Sequence, residues 1–173
     1  MSAPLKFCIR FLVAFAVLLE GFEATRGTAV ERFIVEDAIL APTVVLLNLI
    51  NTLFSGAHIA LVGRTLAWGT TELNVTRGCE GVELFLLLAA AIFAFPATLM
   101  RRLQGLAVGS ALAYCLSVVR LMILAATLRY EPGGWESMHG LIMPLAPVIA
   151  LALYFLHWSG ATGARRVLDA HAA

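Results

Sequence analysis

Long apolar runs dominate the chain, and the polar residues that break them fall at few places. Three runs have the roughly 20 mostly apolar residues that a helix needs to cross a bilayer. They are Val82 to Met100 with Glu83 near its start, Leu103 to Leu128 interrupted by Arg120, and Gly140 to Trp158, which holds no Asp, Glu, Lys or Arg. Arg101-Arg102 joins the first two runs and Arg165-Arg166 follows the third. The positive-inside tendency puts both pairs in the cytoplasm, so position 79 and the loop 129–138 face the other side. A fourth run, Phe7 to Ala24, is weaker because Arg10, Glu20 and Glu23 intrude. Its basic start and acidic end suit a helix entering from the cytoplasm, and the lack of a small-x-small cleavage site favours an uncleaved anchor over a signal peptide.

Between these runs the pattern changes twice. Ala38 to Phe54 is uncharged, but Asn48, Asn51, Thr52 and Ser55 fall at i, i+3, i+4 and i+7, one face of a helix. Such a stripe predicts an interfacial helix or a site-facing wall, and parity agrees: with the N-terminus inside and Cys79 outside, an even total of four crossings leaves no room for a fifth. From Ala57 to Thr76 the chain alternates in short pieces, His58 to Val62, Thr65 to Trp68 and Glu72 to Thr76, punctuated by Gly63 and Gly69. Period-two alternation with glycine turns predicts a small antiparallel meander.

The expected fold is an all-α integral membrane protein in one domain, 1–173, with about four transmembrane helices, one interfacial amphipathic helix and a small extracytoplasmic β-hairpin or meander. Its parts are an N-terminal transmembrane helix at 7–25, the interfacial helix at 37–55, the β-like segment at 56–77, a three-helix core at 82–158 and a cytoplasmic tail at 159–173. Composition supports the membrane assignment, since 61% of residues are hydrophobic and 13% charged, against about 45–50% and about 25% in an ordinary soluble domain. The net charge of +1 comes with no basic cluster suited to nucleic acid. Cys8, Cys79 and Cys115 form no CxxC and no Cys/His cluster at zinc-ligand spacing, so no metal is expected.

Function therefore rests on few polar residues. Cys79 precedes a crossing helix in Arg77-Gly78-Cys79-Glu80-Gly81, Arg120 lies inside the next, and His139 opens the one after. At about 1.5 Å rise per residue, Arg120 sits roughly 12 Å from Leu128 and can snorkel toward that outer end. A helix N-terminus and a nearby cation such as Arg77 lower a thiol's pKa and make it a nucleophile. An imidazole at His139 can move a proton, and the Arg120 guanidinium can stabilise an oxyanion. Acyl transfer through a thioester uses all three. Each residue also has a structural reading: Cys79 as a small helix-start residue, Arg120 as the partner of Glu83 or Glu20, His139 as an interfacial cap. Glu83 shares a helix face with Cys79 and is a supporting candidate, whereas Glu80 reads as a solvated surface residue. Cys8 and Cys115 read as buried structural thiols. Gly105, Gly109 and Ala113 read as packing residues within the monomer, without a long GxxxG seam.

At these residues the chain resembles the exosortase and archaeosortase family of membrane-embedded sorting enzymes. That family carries a cysteine in a Cys-Ser/Ala-Gly motif at a helix start, an arginine in an Asn-x-x-Arg motif within the next helix, and a histidine at the start of the one after. Cys79, Arg120 and His139 match in order and spacing, over about Gly56 to Trp158. The chain departs from the pattern in Cys79-Glu80-Gly81 and in Ser117-Val118-Val119-Arg120, where Ser117 takes the asparagine position. The resemblance implies a cysteine peptidase or transpeptidase, without cofactor, at the outer face of the cytoplasmic (inner) membrane. Its clients would be exported proteins with a C-terminal motif, a transmembrane helix and a basic tail, and an acceptor amine or water would resolve the acyl-enzyme. The alternatives are a non-enzymatic membrane scaffold or assembly subunit, and, less in keeping with a chain that shows no inverted repeat, a small transporter. The topology is tested with a membrane-impermeant thiol reagent on intact cells, which is expected to label Cys79; labelling only after permeabilisation inverts the map.

Overall fold

The computed structural model describes residues 2–54, 58–76 and 80–172. Helices α1 (Ala3–Glu23), α4 (Val82–Ala94), α5 (Leu99–Tyr130) and α7 (Met143–Ala172) pack side by side, with α4 against the other three. Between α1 and α4 come a second helical stretch and a three-stranded sheet. That stretch is built of α2 (Ala29–Arg32), a π-helical turn at Phe33–Leu40 and α3 (Ala41–Phe54). The chain enters α7 through a 3-10 turn at Pro132–Gly134, the short α6 (Trp135–Ser137) and a π-helical turn at Met138–Ile142. Among the described residues three helical stretches are long and apolar enough to cross a bilayer, Ala29–Thr52, Leu99–Tyr130 and Pro132–Gly160, which marks the chain as membrane-associated.

Two boundaries differ from those the hydropathy pattern predicts. The run Val82 to Met100 is not one helix: α4 ends at Ala94, and Phe95 is extended with φ −77° and ψ 134°. Phe95 precedes Pro96, whose ring disfavours the helical region for the residue before it, so Leu99 and Met100 begin α5 instead. The expected interfacial helix at 37–55 also starts earlier, at Ala29. Thr28 caps it, accepting from the Glu31 backbone N–H at 3.5 Å, while the Glu31 carboxylate accepts from the Gly27 N–H at 2.7 Å. Glu31 is buried, and it and Glu36 face Arg64 at 3.0 and 3.7 Å.

The sheet forms as its alternation predicts. Strands β1 (Ile59–Val62), β2 (Thr65–Trp68) and β3 (Thr71–Asn74) run antiparallel in the order β1-β2-β3. Two-residue turns join them, each beginning with a glycine at positive φ, Gly63 at 59° and Gly69 at 65°. Leu61 pairs with Leu66 and Leu66 with Leu73, so one face carries Ile59, Leu66 and Leu73 into a core shared with Val35, Leu40 and Leu47 of the second helical stretch and Leu121 and Leu124 of α5. Arg129 fixes the sheet to the end of α5: its guanidinium donates to the Trp68 carbonyl at 2.8 Å and lies 4.7 Å from the Trp68 ring centre.

The polar stripe on α3 has a structural use. The Asn48 side chain donates to the Ile59 carbonyl at 2.8 Å and accepts from the Ile59 N–H at 2.7 Å, closing the outer edge of β1. Among the described residues Thr52 bonds its own helix, at the Leu49 carbonyl, and Ser55 lies outside the described residues. Glu31 near one end of the stretch and Asn48 near the other are thus both tied to β1 and the turn after it. That piece of chain, 59–64, is at most about 20 Å long, so helix and sheet lie alongside each other. Replacing Asn48 with Ala leaves both Ile59 backbone groups without these partners and is expected to cost about 1–3 kcal/mol. Thr52→Ala is expected to leave thermal stability in detergent nearly unchanged, and equal effects of the two substitutions would refute this role for Asn48.

Candidate active site

Small residues recur every four positions along α5, at Gly105, Gly109, Ala113 and Ser117, and all four are buried. They form the seam that a search for GxxxG pairs alone understates. A methyl group added at Gly105 would come within 2.6 Å of the Trp158 indole nitrogen, and one at Gly109 within 2.5 Å of Leu88 and 2.7 Å of Tyr154. The absent side chains are what let α4 and α7 lie against α5. Tyr154 completes the contact by donating its hydroxyl to the Gly105 carbonyl at 2.7 Å.

The last member of the seam meets the segment that leads into α4. Gly81 caps α4 with φ 83° and ψ 9°, and a methyl group there would fall 2.1 Å from the Ser117 hydroxyl oxygen. Ser117 is fully buried and donates to the Ala113 carbonyl at 2.9 Å, one turn back. Three residues further along α5 is Arg120, 7% exposed. The expected departures from the family pattern, Glu80 and Ser117, therefore sit together. Glu80 is corrected from surface to interior, because it is 0% exposed. Cys79 lies outside the described residues, two positions before Gly81.

Arg120 is the one basic residue among the buried charged and polar residues described. It borders an open groove of about 110 Å³ between α5 and α7, together with Val119, Ile123, Met143 and Pro147. Pro147 has no N–H to bond the Met143 carbonyl, so the wall of this groove is a place where the α7 ladder is interrupted. The expected ion pairs of Arg120 with Glu83 or Glu20 do not form among the described residues. Glu83 is half-buried, and its Oε2 meets no hydrogen-bond partner there.

His139 is expected at the opening of a helix and is found further in, within the π-helical turn Met138–Ile142 and after α6. Its ring stacks on Trp135 with centres 5.0 Å apart and planes inclined by 16°. Both rings border a small cavity of about 20 Å³ with Asn74, Val75, Leu121 and Leu124, room for about one water. Leu121 adjoins Arg120 in sequence, and Met143 of the Arg120 groove is one turn beyond His139. Gly81 thus meets α5 at Ser117, within one turn of Arg120, while His139 borders a separate cavity that reaches this level of α5 at Leu121. Val75 before Cys79 and Gly81 after it are both anchored to this level.

Two further points complete the inventory. Cys8 and Cys115, expected as buried thiols, are exposed on their helices. Among the described residues no three His, Cys, Asp or Glu side chains gather to hold a metal ion. No family model matches the chain, and no curated protein or solved structure matches it.

The Gly81–Ser117 contact is open to a direct test. Gly81→Ala adds a left-handed strain of roughly 1–2 kcal/mol to the clash with Ser117. The variant is expected to lose stability in a thermal melt, and Gly81→Ala/Ser117→Gly is expected to regain the part due to the clash. No recovery in the double variant would show that the two residues do not touch.

Proposed function

We propose that the protein is a membrane-embedded cysteine peptidase or transpeptidase of the exosortase and archaeosortase type, acting on C-terminal sorting signals at the outer face of the cytoplasmic membrane. The observation that carries the reading is the packing of Gly81 on Ser117. Gly81, two residues after Cys79 in the chain, touches α5 one turn from Arg120. A thiol, a buried guanidinium and an imidazole are the groups that thioester chemistry needs.

In this mechanism the Cys79 thiolate attacks the carbonyl carbon of the scissile peptide bond, and the carbonyl oxygen becomes an oxyanion. Arg120 stabilises that charge, in a setting where low polarity strengthens the interaction. As the C–N bond breaks, His139 in its protonated form donates a proton to the leaving amine, and the acyl group remains as a thioester on Cys79. Neutral His139 then takes a proton from water or an acceptor amine as it attacks the thioester, which releases the carboxylic acid or new amide and returns the thiolate.

The proposed topology has four crossings, α1, α4, α5 and α7, with Arg101 and Arg102 inside. The 13 residues of α4 rise about 20 Å, and the four residues 95–98 add up to about 13 Å, together enough for a hydrocarbon core of about 30 Å. The second helical stretch is held along the sheet at both ends, which supports an interfacial place for it on the outer side, although its length and composition also suit a crossing. Clients would be exported proteins bearing a short motif, a transmembrane helix and a basic tail, with that helix in the bilayer beside the enzyme.

The test is coexpression with such a client, following its size and its membrane association. The parent chain is expected to shorten the client, Cys79→Ala to abolish processing, and His139→Ala and Arg120→Lys to lower it at least about a hundredfold, the scale of a lost proton-transfer or oxyanion group. Processing by Cys79→Ala at the parent rate would sink the mechanism and leave the scaffold reading in its place.

A further inference from the structure

The opposite end of the helix bundle carries a second recess that the proposed chemistry does not use. A cavity of about 380 Å³ opens between the start of α5 and the middle of α7, lined by Arg101, Gln104, Val108, Tyr154, His157 and Trp158. Its polar groups are the Arg101 guanidinium, the His157 imidazole, the Gln104 amide and the Trp158 indole N–H. The hydroxyl of Tyr154 is already given to the Gly105 carbonyl. Below this rim the walls are apolar: the Val108 side chain, exposed on α5, and the rings of Tyr154 and buried Trp158.

The neighbouring arginine explains why Arg101 is the one that faces the recess. Arg102 donates to the Phe95 carbonyl at 3.2 Å, closing the bend between α4 and α5. The cavity exists because of the seam: Gly105 and Gly109 bring α7 close, while the larger residues on either side hold the helix surfaces apart. It opens where two helices long enough to span a membrane reach a polar end, the depth at which lipid headgroups lie. Charge is distributed to match, because among the described side chains Lys6, Arg10, Arg101 and Arg102 belong to this end.

We infer that this recess binds an acidic phospholipid, with Arg101, Gln104 and His157 holding the phosphate and one acyl chain lying along Val108 between α5 and α7. A cationic rim over an apolar slot fits an anionic headgroup with its chain better than it fits a free anion, which has nothing to place against Val108. The inference is independent of the peptidase reading, since it concerns residues at the other membrane face.

The experiment is native mass spectrometry of the full chain in neutral detergent, titrated separately with phosphatidylglycerol, phosphatidylcholine and inorganic phosphate. One retained phosphatidylglycerol per chain is expected, favoured about tenfold over phosphatidylcholine and lost about tenfold in Arg101→Gln/His157→Gln, as expected for removing one or two interfacial charges. Val108→Trp fills the slot while keeping every charge, and is expected to lose the lipid as well. Lys6→Gln removes a basic residue outside the cavity and is expected to retain it. Equal retention of phosphatidylcholine, unchanged binding in Val108→Trp, a loss in Lys6→Gln matching that of the double variant, or phosphate binding as tight as the lipid's would each overturn the assignment.

Discussion

The close approach of three helices along one row of small residues is the constraint on which the rest of this structure depends. Within a membrane, lipid tails are as apolar as leucine, so burial from water gives helices little reason to associate and contact at short range must supply it. Gly105 supplies it here by leaving room for Trp158, Gly109 by leaving room for Leu88 and Tyr154, and Ser117 meets Gly81. A methyl group at Gly105 or Gly109 in the row, or at Gly81 opposite its end, would meet a neighbour at under 3 Å. One end of the row shapes the recess beside Arg101, and the other sets the level of Arg120.

That second level is where the apolar interior divides. One cluster, with Leu88, Ile92, Ala113 and Leu151, fills the bundle on the Arg101 side, and another, with Leu40, Leu66, Val82 and Leu121, joins the sheet to α5. Glu80, Ser117 and Arg120 lie between them, buried. Charges placed inside a membrane protein are costly and usually serve a purpose. The sheet and the second helical stretch contribute indirectly, since Asn48, Arg64 and Arg129 lock them against α5 and so fix Val75, from which the chain continues toward Cys79.

Much of this fold is legible along the chain because local patterns have local causes. Alternation and the glycines at 63 and 69 give the meander within a residue or two of its strands, since pleat and turn act over a few residues. Arg120 stands out for the same reason, being a lone charge in an apolar helix. Where reading by hydropathy misplaces a boundary, an interaction of another kind competes with it. Pro96 ends α4 through the conformation of Phe95, and the acidic residues 31 and 36 belong to a helix because Arg64, far along the chain, neutralises them. The period-four row on α5 was present in the sequence, but small residues are common in membrane helices and their partners lie on other elements.

The sequence by itself determined a mostly helical, membrane-associated chain, the meander, two of the segments long and apolar enough to span a bilayer, at 103–128 and 140–158, and the small set of polar residues available for chemistry. These follow from composition and from periods of two and 3.6, which need no knowledge of neighbours. Only the tertiary structure decided that Glu80 is interior, that Asn48 serves the edge of β1, that His139 stacks on Trp135 inside a π-helical turn, and that Ser117 receives Gly81. The last three are contacts between residues 4 to 36 apart, and the burial of Glu80 and the meeting of Gly81 with Ser117 are set by which helices approach closely enough, a property of the packed whole.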